Sequence, residues 1–148
     1  MEKSGNLSRI ISIYVDLFTY SLGEEDLLFS FFSSIVVHLE NSRWASRFPI
    51  TMNKFYQGQV AYDELEQFRQ ELNIIKAEFS KIKAAWQIWN CEKPELKVPE
   101  KYCHTDAPNL AASFITTDDN NFFEVIDMAI QDGLDYPSDL SLEVLFYA

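Results

Sequence analysis

Cysteine, glycine and proline are scarce in this 148-residue chain, which holds 2, 4 and 5 of them. The two cysteines, Cys91 and Cys103, form no C-x-x-C pair and fall far short of the dense framework of a small secreted domain. A reducing, cytosolic setting is therefore expected. So little glycine and proline, beside 47% hydrophobic and 15% aromatic residues, excludes a collagenous, low-complexity or disordered chain. Long apolar runs are missing too. Ile10 to Leu22 follows Lys3 and Arg9 as a signal peptide would, but Asp16, Tyr14 and Tyr20 interrupt it and no small-x-small cleavage site follows. Leu27 to Leu39 carries Ser30, Ser33, Ser34 and His38, and is shorter than the roughly 20 residues a bilayer requires. An unanchored protein with no membrane partner is expected.

Basic residues are in deficit, 12 against 23 acids, for a net charge of −11. Nucleic-acid binding is driven by Lys and Arg displacing phosphate counterions, so direct binding of DNA or RNA is not expected. The deficit is uneven. No Lys or Arg follows Lys101, while Asp106, Asp118, Asp119, Glu124, Asp127, Asp132, Asp135, Asp139 and Glu143 all do. Such a surplus serves solubility, and it also speeds encounter with a basic partner.

Catalytic and metal signatures are equally sparse. Cys91, Cys103, His104 and His38 are the only soft metal ligands, and only Cys103 and His104 are close in sequence. Adjacent side chains do not converge well on one ion, so neither metal nor cofactor is expected. An acidic neighbourhood opposes the thiolate that a Cys–His nucleophile needs. No glycine-rich phosphate loop or nucleophile elbow is present. Carboxylate pairs such as Asp118 and Asp119 arise from sheer abundance, and an acid–base pair would further need opposed environments. A non-enzymatic chain is expected.

At 17.2 kDa the chain should expose roughly 8,000 Å² folded against roughly 25,000 Å² unfolded, enough burial for a real core. Ile11 to Leu17 alternates as a half-buried strand. Glu24, Glu25 and Asp26 suit a helix N-terminus, followed by the stripe Leu27, Leu28, Phe31, Phe32, Ile35, Val36 and Leu39. Pro49 to Gly58 reads as a short helix opened by proline and closed by glycine. Leu65, Phe68, Leu72, Ile75, Phe79 and Ile82 mark a long helix over about 62–82, lying across a sheet. Trp86 to Trp89 alternates as a second strand, and Glu92 to Pro108 is a loop long enough to suggest a role. Ala112 to Thr116 suggests a short strand. Phe122, Phe123, Ile126, Ala129 and Ile130 form a helix capped by Asn121 or a preceding aspartate and ended by Gly133. Leu140, Leu142, Val144 and Phe146 mark a C-terminal strand. The expected fold is one α+β domain over 1–148, a small, mostly antiparallel sheet packed by about four helices.

The order and spacing of Phe31-Phe32-Ser33-Ser34-Ile35, Leu39-Glu40, Trp44-Ala45-Ser46-Arg47-Phe48-Pro49 and Met52 to Tyr56-Gln57-Gly58 resemble a bacterial immunity-protein family. It is the one numbered seventy among the polymorphic-toxin immunity families. The resemblance continues through Glu71-Leu72, Ile75 and Trp86, then more weakly at Leu110 to Thr117 and Phe122 to Phe123. Trp89-Asn90-Cys91-Glu92 and the single prolines Pro94 and Pro99 depart from it, in place of an acidic Trp-Asp segment and a Pro-Pro-Trp turn. The resemblance implies a cytosolic antidote that binds a cognate toxin domain one-to-one. Trp44, Arg47, Phe48, Pro49, Tyr56 and Gly58 then read as fold-defining, with Arg47 anchoring a buried carboxylate or a helix end. Expected toxin contacts are Asp118, Asp119, Glu124 and Asp127, with Glu92 and Glu95 in the preceding loop; a basic toxin cleft, as on a nuclease, would suit them. Two rival readings stand beside this one. A secretion chaperone would be a dimer holding an unfolded effector segment, and a small enzyme would show a pocket of perturbed carboxylates.

Overall fold

A computed structural model describes residues 8–147. Lys3, ahead of the N-terminal apolar run, lies outside them. The fold is α+β. A four-stranded antiparallel sheet of order β2-β1-β4-β3 is built from β1 (Ser8–Val15), β2 (Phe18–Glu24), β3 (Gln59–Val60) and β4 (Leu140–Tyr147). Helices α1 (Glu25–Leu39), α2 (Leu65–Phe79), α3 (Leu110–Ser113) and α4 (Phe122–Asp135) accompany it. The exposed surface of 8098 Å² agrees with the value expected from mass.

Strand alternation decides which face meets the helices. Ile11, Ile13 and Val15 of β1 pair across to Val144, Leu142 and Leu140 of β4, and all three join the core. Tyr20 and Phe18 of β2 pair with Ile13 and Val15 and share that face. The chain leaves the first strand earlier than the alternation suggests. It reverses at Asp16 and Leu17, with Asp16 at φ 52 and Leu17 92% exposed, and returns as β2. This strand was not expected, because the turn carries none of the glycine or asparagine that usually marks a two-residue hairpin.

The helix stripes are as expected. Phe31 of α1 sits at the centre of an aromatic cluster, with ring contacts to Phe32, Phe79, Phe114, Phe122 and Phe123. Leu65, Phe68, Leu72, Ile75 and Phe79 bury one face of α2. That helix is shorter than expected, preceded by a 3-10 turn over Tyr62–Glu64 and ended at Phe79. Asn121 is the N-cap of α4, accepting from the Phe123 amide at 3.0 Å.

Three expectations are corrected. Trp86 to Trp89 is not a strand: it opens in a 3-10 turn and then runs extended along α1, where side chains replace a strand partner. Ser30 donates to the Ile88 carbonyl at 2.6 Å, Ser34 accepts from the Ile88 amide at 3.0 Å, and Ser33 accepts from the Cys91 amide at 3.0 Å. The amide and carbonyl of Ile88 are thus satisfied without a ladder. Ala112 to Thr116 is not a strand either. Asn109 caps α3 there through the Ala112 amide, leaving one bridge between Ile115 and Asn121. Gly133 does not end α4, which runs on to Asp135. A Cβ at Gly133 would lie 2.7 Å from Leu65 Cδ1 and 3.2 Å from both the Ser138 carbonyl and Val15 Cγ2, so close packing selects glycine there.

Candidate functional site

The segment between α1 and α2 is fixed by two buried carboxylates. Glu40, just past α1, accepts from the amides of Ala45, Arg47 and Phe48 at 3.0–3.1 Å. Glu71 of α2 accepts from the amides of Ile50 and Thr51 and from the Thr51 hydroxyl. These bonds fill the free donors at the start of a π-helix over Ile50–Phe55, whose N-cap is Pro49. Arg47 closes the other end. Its guanidinium forks onto Glu78 at 3.0 and 2.7 Å and donates to the Leu39 carbonyl at 3.0 Å, so it anchors the end of α1. Those bonds hold the Arg47 guanidinium above, and the Glu78 carboxyl below, their usual ranges. Phe48 is buried. Arg47 thus ties the end of α1 to α2 through Glu78.

Trp44, Tyr56 and Gly58 play a different part. The Trp44 indole donates to the Met52 carbonyl at 2.8 Å, and its ring lies 4.8 Å from that of Tyr56. Both rings contact Phe32 yet stay 36% and 44% exposed. Gly58 turns the chain at φ +106 with open space around its α-carbon, a conformation that disfavours any side chain. Its carbonyl accepts from the Leu142 amide at 2.9 Å, tying the turn to β4. A groove of about 480 Å³ opens beside them, floored by Ile11, Phe29, Leu142 and Val144. Glu25 and Asp26 stand on its acidic rim. The sequence had suggested these two only as companions of a helix N-terminus, and their acidity was the one available signal.

The six acids expected to bind divide among three places. Asp118 and Asp119 are exposed on a tight turn, closed by Thr116 Oγ1 accepting from the Asp118 and Asn120 amides. The Thr117 amide donates to the Leu22 carbonyl at 3.1 Å, which seats this turn beside the chain entering Glu24, Glu25 and Asp26. Glu124 and Asp127 lie on α4. Asp127 is bound by Arg69 at 2.9 Å, and the pocket of about 390 Å³ around the pair also holds Lys76. Glu92 and Glu95 are exposed on a loop opened by Asn90, whose side chain accepts from the Glu92 and Lys93 amides. The rest of that loop returns to α1: Tyr102 stacks on Trp89 at 5.6 Å and its hydroxyl bonds Glu24, which Lys101 also reaches at 2.8 Å. Burial and that carboxylate push the Tyr102 phenol up.

Among the described residues, no three His, Cys, Asp or Glu side chains gather as a metal site, and no helix is long and apolar enough to cross a membrane. What this surface offers is contact: an apolar, aromatic groove with an acidic rim. The family model described as Immunity protein 70 matches residues 13–142. No curated protein and no solved structure matches the chain.

Proposed function

Because the chain belongs to the Immunity protein 70 family, and so is an immunity protein against a toxin, we propose that it neutralises its cognate toxin domain by direct one-to-one contact in the cytosol. The toxin surface it covers is basic and carries the active site or the substrate path, as the cleft of a nuclease would. The chain acts by occupying that surface, with no cofactor and no chemistry of its own. The observation that carries this reading is the seating of the exposed Asp118-Asp119 turn on Leu22 of β2. Asp118 and Asp119 are thereby held exposed on a fixed turn of a chain of net charge −11, which draws a basic partner in from a distance. Glu124 adds charge from α4, beside Arg69 and Lys76. Asp127, bound to Arg69, contributes less, and Glu92 and Glu95 add charge from the separate loop.

The test is co-expression with toxin domains of the producing cell, read as growth rescue and as a co-purified complex. A stable one-to-one complex that restores growth is expected. Reversing Asp118 and Asp119 together to Lys should slow association by about tenfold at low salt, with the difference shrinking as salt screens the field. A homodimer that captures an unfolded segment and leaves the folded toxin alone would put a secretion chaperone in its place.

A further inference from the structure

The groove beside α1 opens onto a sheet edge that the fold only partly uses. β3 pairs with β4 only at Gln59↔Ser141 and Val60↔Leu140, and the last bond on that side joins the Leu142 amide to Gly58. β4 runs on to Tyr147. In a strand, the amide and carbonyl of one residue point to the same side, and the side alternates along the chain. Since Leu142 points outward, so do the backbone groups of Val144 and Phe146. Among the described residues, no strand pairs with β4 there. Nor does β4, Leu-Ser-Leu-Glu-Val-Leu-Phe-Tyr, carry the lysine or proline that commonly blunts a free edge.

Side chains and charge agree with this edge. Leu142 and Val144 face the groove with Phe29 and Tyr56, and Val144 is 37% exposed. A strand laid along the edge would place every second side chain over that floor. On the rim, Glu25 is shared with Arg9 at 2.9 Å, whereas Asp26 forms no hydrogen bond or ion pair among the described residues. An unpaired carboxylate beside an apolar floor suits a Lys or Arg flanking an apolar residue. A second copy of the chain would bring another −11 to this rim, so charge favours a basic partner.

We propose that an extended, basic segment of the toxin adds to the sheet along the outer edge of β4. Its main chain bonds Val144 and Phe146, an apolar side chain fills the Phe29–Tyr56–Val144 groove, and a cationic one meets Asp26. This rests on the immunity reading above and names the surface through which it works.

The experiment compares amide hydrogen exchange in the free chain and in its complex with the toxin domain whose toxicity it relieves, together with the affinities of Val144→Pro and Asp26→Lys. The Val144 amide points away from β1, so proline there removes no bond of the β1–β4 ladder, and edges are where sheets tolerate proline. Slowed exchange at Val144 and Phe146 on binding, with at least about tenfold weaker binding by both variants, is expected. If either variant fails to fold, exchange in the wild-type complex and the other variant decide. Unchanged exchange and unchanged affinities beside a tight wild-type complex would overturn the edge and leave the immunity reading intact. A wild-type dimer that Val144→Pro converts to monomer, with toxin affinity unchanged, would assign the edge to a second copy and also overturn it. Absence of any wild-type complex would remove both.

Discussion

Glu71 accepts hydrogen bonds from both the amide and the hydroxyl of Thr51, at 2.8 and 2.9 Å, with both residues buried. A side chain of α2 thereby caps a helix more than a dozen residues before it, one that has no side-chain cap of its own. Glu71→Ala would leave the Ile50 and Thr51 amides without this partner away from water. A loss of about 2–4 kcal/mol is expected from two stranded donors, read as a lower urea midpoint at unchanged slope. A loss below about 0.5 kcal/mol would mean that water replaces the carboxylate.

The serine face of α1 makes a second, local prediction. Ser34→Ala removes the acceptor of the Ile88 amide, and Ser33→Ala that of the Cys91 amide. Each should cost about 1 kcal/mol. Exchange at Ile88 should quicken in the first variant, and the Cys91 thiol should react faster with a disulfide reagent in the second. Equal rates in wild type and variants would show the segment held by Trp89 and Tyr102 instead.

Acid should act through Glu78. Its carboxyl is held below its ordinary value of 4.5, chiefly by the hydrogen bonds from Arg47. A depressed carboxyl contributes stability above its unfolded value and loses it as pH falls through the folded one. The two side chains are 41% and 35% exposed, so screening limits the pair to under about 1 kcal/mol. Glu78→Gln should therefore lie slightly below wild type at pH 7, and the two stability curves should converge below about pH 4. Parallel curves across that range would contradict the assignment.

Base should act through Tyr20, whose hydroxyl bonds Asp132 of α4. Burial, then that carboxylate, raise the phenol from 10.0 to about 12. A raised value means that this contribution is whole below pH 10 and is lost as pH climbs towards 12. Absorbance titration should show two tyrosines ionising late, Tyr20 and Tyr102, and Asp132→Asn should bring Tyr20 earlier while leaving Tyr102 late.

Two glycines should respond differently to alanine. At Gly58 the obstacle is φ +106, so a cost of about 1–2 kcal/mol should persist whatever its neighbours are. At Gly133 the obstacle is Leu65, 2.7 Å from the added carbon. Shortening Leu65 to Ala should recover part of the Gly133→Ala penalty, a coupling that a double-mutant cycle in urea measures. Additive effects would place the strain at the Ser138 carbonyl and Val15 instead.

The chain's own order determined the elements that bury one face. The stripes of α1, α2 and α4, the alternation of β1 and β4, the Asn121 cap and the turn at Gly58 are local, since side-chain period and a residue's own backbone preferences do not depend on distant partners. The family motif was legible in the same way, as was the acidity of the C-terminal third. Tertiary structure alone decided the rest. Trp86 to Trp89 alternates like a strand, but serine hydroxyls of α1 satisfy the Ile88 amide and carbonyl, and nothing within those residues encodes such partners. Gly133 looks like a helix end until Leu65 and Val15 close on it. Glu25 and Asp26 look like helix-start acids until Tyr56, Gly58 and the edge of β4 meet them to make a groove. A period along the chain reports which side chains avoid water; which surfaces they build together depends on contacts between residues that the chain brings side by side only on folding.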